Sequence, residues 1–343
     1  MHKKGEEEPM IEVNELTKVF QKPIRGNGLS GMVKTLFSRK YDEIRAVDGI
    51  SFTVPDGEIV GYIGANGAGK STTIKMMCGI LTPTSGSVRI DGMEPYRMRR
   101  QVAQHIGVVF GQKTQLWWDI PLIESFKVLK EIYQVSDADY RERMGFLGEV
   151  LDITRFLSQP VRTLSLGERM RADLAASMLH NPQILFLDEP TIGMDVLVKE
   201  KIRLAIHALN KTYGTAVVLT THDMTDIENL CSRIILLEKG TILYDGPLAR
   251  LKNRFGNLKT LTVSVPAEIH AETAPVFSPE VDVSEEDGRM ILRFDADKVA
   301  LEQVVQYAFR DLKAMDMKIA EISIGDVVKT ILEQQEAEHA EKV

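Results

Sequence analysis

The chain has little cysteine, little tryptophan, no surplus of positive charge and no long apolar run. Its two cysteines, Cys78 and Cys231, lie far apart and fit no metal-ligand spacing. Each has apolar neighbours, so buried structural thiols are expected and nothing points to an oxidising compartment. No stretch reaches the roughly 18 unbroken apolar residues of a helical membrane span. The start, Met1-His2-Lys3-Lys4-Gly5-Glu6-Glu7-Glu8, is charged and does not read as a signal peptide. These absences predict a cytoplasmic chain that another polypeptide would have to hold at any membrane. The formal net charge of -7 argues against non-specific nucleic-acid binding, which needs a basic surface.

What is present suits a soluble globular protein: 44% hydrophobic and 27% charged residues over 343 positions, enough for one large domain and a smaller one. Residues 1–9 read as a tail and 10–20 as a first strand, with Ile11 and Val13 alternating against polar neighbours. A second strand is expected from near Ala46 to Val54, before the Pro55-Asp56-Gly57 turn. Between them, residues 21–45 form a basic insertion whose centre, Leu29 to Phe37, has the spacing of a short amphipathic helix. From 56 to about 245 strands and helices alternate, an α/β pattern. The apolar runs 106–110, 184–187, 216–219 and 234–237 suit strands covered on both faces, and 123–180 reads as mostly helical. A boundary falls near 246–258. Beyond it, strands at 260–265, 289–294 and 318–324, a helix at 297–312 and a closing helix predict a small α+β domain, ferredoxin-like or ACT-like, before a charged tail at 333–343.

Gly64-Ala65-Asn66-Gly67-Ala68-Gly69-Lys70-Ser71-Thr72 fits the phosphate-cradling P-loop pattern. Glycines let successive N–H groups turn inward, and the following helix adds its positive dipole end. Lys70 is a point charge for the terminal phosphates, and the Ser71 hydroxyl is a Mg²⁺ ligand. The run Ile59–Ile63 leads in as a strand and Thr72–Met77 leads out as a helix, the context the pattern requires.

Four further features follow in order. Gln112 lies just past the strand 106–110, where a glutamine can ligate Mg²⁺ or orient water. Leu164-Ser165-Leu166-Gly167-Glu168 opens a helix with an S-x-x-E capping box. Leu185-Phe186-Leu187-Asp188-Glu189-Pro190 ends an apolar strand in two carboxylates; Asp188 suits a Mg²⁺ ligand and Glu189 a general base. Thr220-Thr221-His222-Asp223 places a histidine where a sensor of the γ-phosphate would sit.

This order resembles the nucleotide-binding subunit of ABC transporters over roughly residues 10–245. The resemblance implies an α/β P-loop NTPase fold of the ABC type, with a mixed sheet and a helical subdomain at about 115–180, over residues 10–248. Residues 249–332 are then the accessory domain. It implies ATP and Mg²⁺ as cofactors, and a Mg²⁺-dependent ATPase coupled to transport. Gly64–Gly69, Lys70, Ser71 and Thr72 would hold the triphosphate, with Thr72 at the α-phosphate. Ser71, Gln112 and Asp188 would meet the metal. Ser165, Gly167 and Glu168 would be the signature, Glu189 the catalytic base, Asp195 the D-loop residue, His222 the switch histidine and Phe20 the adenine-stacking ring. Leu166 and Glu168 stand where the family pattern has glycine and glutamine, and Phe20 where tyrosine is usual. A homodimer, or a heterodimer with a close relative, is implied, because one chain would hold half of each site. Integral membrane permease subunits are the implied partners, holding the chain at the inner face of the cell membrane.

The end of the accessory domain, 322–328, resembles that of bacterial drug exporters, while the 21–45 insertion resembles one in polysaccharide and teichoic-acid exporters. The insertion's six cations suit either anionic lipid head groups or a solvated loop. Trp117 and Trp118 suit either a permease interface or a core under the helical subdomain. The expected function is efflux of a drug or lipid-like solute. The alternatives are a polysaccharide exporter and a soluble non-transport ABC ATPase. A GTPase is excluded, since Asn210-Lys211-Thr212-Tyr213 lacks the aspartate that reads guanine.

Overall fold

The computed structural model describes residues 10–23, 41–111, 113–254, 258–266, 268–269, 277–286, 288–321, 324–328 and 331. The chain divides into two compact units, 1–246 and 247–343.

In the first unit, β1 (Ile11–Pro23) pairs antiparallel with β2 (Tyr41–Val54) and β4 (Ser85–Ile90), in the order β2-β1-β4. Ile11, Val13 and Leu16 are all buried, although a period of two would turn residue 16 outward. A register shift between Val13 and Leu16, with Glu15 at φ 46°, restores Leu16 to the core. A six-stranded sheet carries β3 (Ile59–Gly64), β5 (Ile106–Phe110), β6 (Ile184–Asp188), β7 (Ala216–Thr220), β8 (Arg233–Glu238) and β9 (Thr241–Pro247). Its order is β5-β6-β7-β3-β8-β9, and β5, β6, β7, β3 and β8 run parallel. All five residues of β7 are buried, as expected where helices cover both faces. Among the described residues, the α-helices of this unit are α1 (Lys70–Met77), α2 (Arg99–His105), α3 (Leu122–Ile132), α4 (Asp137–Val150), α5 (Leu166–Met178), α6 (Val196–Tyr213) and α7 (Met224–Leu230).

The second unit holds α8 (Leu248–Arg254), β10 (Leu258–Ser264), β11 (Val281–Glu286), β12 (Arg289–Asp295), α9 (Leu301–Arg310) and β13 (Asp316–Glu321). Its antiparallel sheet runs β11-β12-β10-β13, so β12 lies between β10 and β11, the split arrangement of ferredoxin-like sheets. Leu261, Leu292, Phe294, Val304 and Tyr307 form its own core.

Several expectations need correction. The first two strands run three residues later and five residues earlier than expected, to Pro23 and from Tyr41. The basic insertion is therefore narrower than 21–45: Gln21 lies opposite Glu43 and Lys22 opposite Asp42, and Arg45 is ion-paired to Asp48 at 2.8 Å. Polar cross-strand pairs such as these carry no apolar alternation, which hid the strand ends. The amphipathic segment 29–37 lies outside the described residues. β4 and β11 were not anticipated: β4 is flanked by turn-forming residues and β11 carries four polar residues in six. Ile324 begins a helical turn rather than ending a strand, and it is fully buried. Cys231 is buried as expected, but Cys78 only partly.

Candidate functional site

β3, β6 and β7 are neighbours in the sheet, so their C-terminal ends meet along one edge. β3 ends at Gly64 and α1 begins at Lys70, leaving a tight loop between them. Gly69 has φ 104°, and a Cβ there would run into the carbonyl oxygen of Ala46. Only glycine fits this close approach. Ala68 is buried beneath the loop, while Ala65, Asn66 and Gly67 border solvent. Thr72 is half-buried on the first turn of α1. Lys70 Nζ donates to the carbonyls of Gly64 (2.7 Å) and Ala65 (3.0 Å). Burial lowers the Lys70 pKa, and the Glu189 and Asp188 charges oppose that without cancelling it.

Asp188 closes β6 opposite Thr220, the last residue of β7. Asp188 Oδ1 accepts from Thr220 Oγ1 at 2.6 Å, and Oδ2 accepts from Ser71 Oγ at 3.3 Å. A hydroxyl and a carboxylate therefore converge beside the loop, a hard-oxygen pair of the kind Mg²⁺ uses while keeping several waters. Among the described residues no group of three or more His, Cys, Asp or Glu could hold a metal by itself. The donor set thus fits Mg²⁺ shared with a phosphate better than a dedicated protein cage. Glu189 follows with φ 56°, unusual for a side chain of its size. Its N–H is fixed by the Thr220 carbonyl at 2.9 Å, and its Oε1 lies 2.7 Å from His222 Nε2. A cavity of about 450 Å³ opens here, lined in part by Ser71, Phe110, Lys113, Asp188 and Glu189.

Ser165, Gly167, Glu168 and Asp195 meet elsewhere. Ser165 caps α5: its Oγ accepts from Glu168 N (3.3 Å) and donates to Glu168 Oε2 (2.9 Å), while Ser165 N donates to Glu168 Oε2 (3.0 Å). These bonds, the backbone one first, hold the Glu168 carboxyl below its ordinary pKa. Asp195 caps α6, accepting from Val198 N at 2.9 Å. A Cβ on Gly167 would lie 2.7 Å from Val198 Cγ1, so glycine lets the first turns of α5 and α6 touch. Ser165, Gly167, Glu168, Asp195 and Lys201 line a pocket of about 330 Å³ that shares no lining residue with the cavity at Ser71.

Gln112 lies outside the described residues. Phe20 sits on β1 opposite Ile44, 39% exposed, with Lys18 Nζ 5.3 Å from its ring centre. Trp117 and Trp118 are 41% and 48% exposed, and the Arg169 guanidinium lies 5.5 Å from the Trp118 ring. Sequence reasoning passed over Thr220, which orients Asp188; a hydroxyl closing an apolar strand was the available signal.

The family described as ABC transporter matches residues 47–192. The chain is 30% identical over 313 residues to the daunorubicin/doxorubicin resistance ATP-binding protein DrrA of Streptomyces peucetius, covering 88% of this chain and 89% of that one. It is 30% identical to the ABC transporter ATP-binding protein NatA of Bacillus subtilis (63% and 87% covered). It is 36% identical to the probable multidrug ABC transporter ATP-binding protein YbhF of Escherichia coli, but spans only 38% of that protein's length. Among solved structures, a dimeric post-hydrolysis state of the ATP-binding cassette MJ0796 bound to ADP and Pi is similar, with a TM-score of 0.58 and 26% identity over 70% of this chain and 99% of that one. Among the described residues no helix is long and apolar enough to cross a membrane. By fold, motif order and relatives alike, the chain belongs to the ATP-binding proteins of the ABC transporter family.

Proposed function

We propose that this chain hydrolyses ATP as one half of a dimeric engine that drives a membrane exporter. The observation that carries the reading is the separation of two half-sites: Lys70, Ser71, Asp188, Glu189 and His222 at one sheet edge, and Ser165, Gly167 and Asp195 in a pocket that shares none of that cavity's lining. A second copy would complete each site, its Ser165 pocket facing the first copy's loop. Backbone N–H groups of 64–69 and the Lys70 ammonium bind the triphosphate, and Lys70 exchanges its two carbonyl partners for phosphate oxygens. Ser71 and Asp188, with Gln112, would hold Mg²⁺, which neutralises phosphate charge when bound. Glu189 takes the proton of the attacking water, and His222 holds the Glu189 carboxylate in place. Phe20 offers a ring face for the adenine. Relatives named for multidrug and drug resistance support efflux of a drug or lipid-like solute through separate permease subunits, with the chain held at the cytoplasmic face. The exposed Trp117 and Trp118 suit that permease contact.

Steady-state ATPase assays of wild type and Glu189→Gln test the core of this reading. Turnover should fall by at least about a hundredfold, the usual contribution of a general base. ATP binding should persist, and the ATP-bound dimer should become longer-lived on size exclusion. Normal turnover in the variant would refute the assignment of the base.

A further inference from the structure

The contact between Glu189 and His222 joins two strand ends, which the bond from Glu189 N to the Thr220 carbonyl at 2.9 Å already ties at the backbone. A third group behind them adds a side-chain tie. Asp226, on α7, is fully buried. Its Oδ2 accepts from Thr191 Oγ1 at 2.5 Å and from Thr221 Oγ1 at 3.2 Å. Its Oδ1 accepts from Arg203 Nη1 of α6 at 2.8 Å. Thr191, Thr221 and Arg203 are themselves buried. Thr191 stands two residues after Glu189, and Thr221 immediately precedes His222. One carboxylate oxygen therefore gathers the two segments that carry the interacting pair. The other oxygen is anchored to the helix that Asp195 caps.

We propose that Asp226 is a positioning residue for the hydrolytic step, acting through Thr191 and Thr221 to set the spacing of Glu189 and His222. The inference rests on the reading of those two residues given above. Its physical basis is low-dielectric geometry. A buried carboxylate with its hydrogen bonds satisfied holds its donors tightly, because an unpaired hydroxyl there has no water to turn to. Arg203 compensates the charge, and Glu200 Oε2 satisfies the guanidinium on its outer side, accepting from Nε at 3.1 Å. A second tie, Lys199 to Asp223 at 2.6 Å, lies one helical turn away, and Asp223 N donates to the Thr221 hydroxyl at 3.0 Å, so that hydroxyl links the Asp226 carboxylate to the segment after His222.

Removing one partner of a buried ion pair is strongly destabilising, so Asp226 variants alone would not separate positioning from folding. The decisive variants are Thr191→Val, Thr221→Val and the double variant, which delete hydroxyls while keeping shape and charge. A crystal structure of the nucleotide-free double variant should show the Glu189 Oε1 to His222 Nε2 separation, 2.7 Å in the wild type, opened beyond about 3.5 Å. Its kcat should fall about ten- to a hundredfold, as misplacement of a catalytic group does. KM should stay within about twofold, because nucleotide binding is untouched. A separation that stays at its wild-type value overturns the proposal whatever the kinetics. So does wild-type kcat in variants that merely melt earlier. An opened separation in a protein whose Glu189→Gln form still turns over normally would instead remove the base assignment and leave the positioning role standing.

Discussion

At the scale of the residue, Asp173 is, among the described residues, the carboxylate whose environment opposes its charge most clearly. It is buried on α5, and desolvation pushes its pKa up to about 6. Bonds from Thr114 Oγ1 (2.9 Å) and Gln115 N (3.1 Å), and the Arg169 charge, only partly counter this. The folded state thus binds the proton more tightly than the unfolded chain, whose aspartate keeps the ordinary value of 3.8. The contribution is fully favourable below that value and is lost as pH rises through about 6. Asp173→Asn still accepts both bonds and has no charge to bury. Urea denaturation from about pH 4 to about pH 7 should show wild type losing roughly 2 kcal/mol relative to the variant. A difference that stays flat with pH would show that Asp173 is not buried in this way. Nothing in the sequence marks it, because an acid on a helix reads as solvated until the fold sets Thr114 against it. Lys70, Asp188 and His222 were legible because their chemistry demands those residue types at strand ends. Asp226 was not, since Thr191 and Arg203, which hold it with Thr221, are distant in the chain.

At the scale of the element, α5 was written locally and folds as written. The Ser165 and Glu168 capping box needs only residues three apart. Ser165→Ala should cost about 1 kcal/mol in urea denaturation, the usual loss for an N-cap. Glu168→Gln can reach the same backbone N–H and should stay within about 0.5 kcal/mol of wild type, given the reciprocal box. Equal losses in both would show that the Glu168 charge contributes as much to this end as the serine cap does. The parallel strands were legible for a comparable reason, as unbroken apolar runs. β4 was not, because Ser85, Gly86 and Ser87 become a strand only through pairing with β1, a tertiary choice that overrides local propensity. The flanks of the insertion failed for the same reason, their ladder pairing Gln21 with Glu43 and Lys22 with Asp42.

At the scale of the whole molecule, the two units carry separate apolar cores. Calorimetry should resolve two unfolding transitions. A non-hydrolysable ATP analogue should raise only the one belonging to the first unit, because ligand that binds the native state stabilises what it touches. One transition moving as a block would mean that the units unfold as one. The loop after Gln112 has a further consequence. Both indoles of the chain stand side by side there, half-exposed, one of them under the guanidinium from the first turns of α5. All tryptophan fluorescence therefore originates at a single spot, so the protein carries an unlabelled optical probe. Its emission should be red-shifted and readily quenched by acrylamide in the free chain, then turn blue and shielded wherever another surface seals that spot from water.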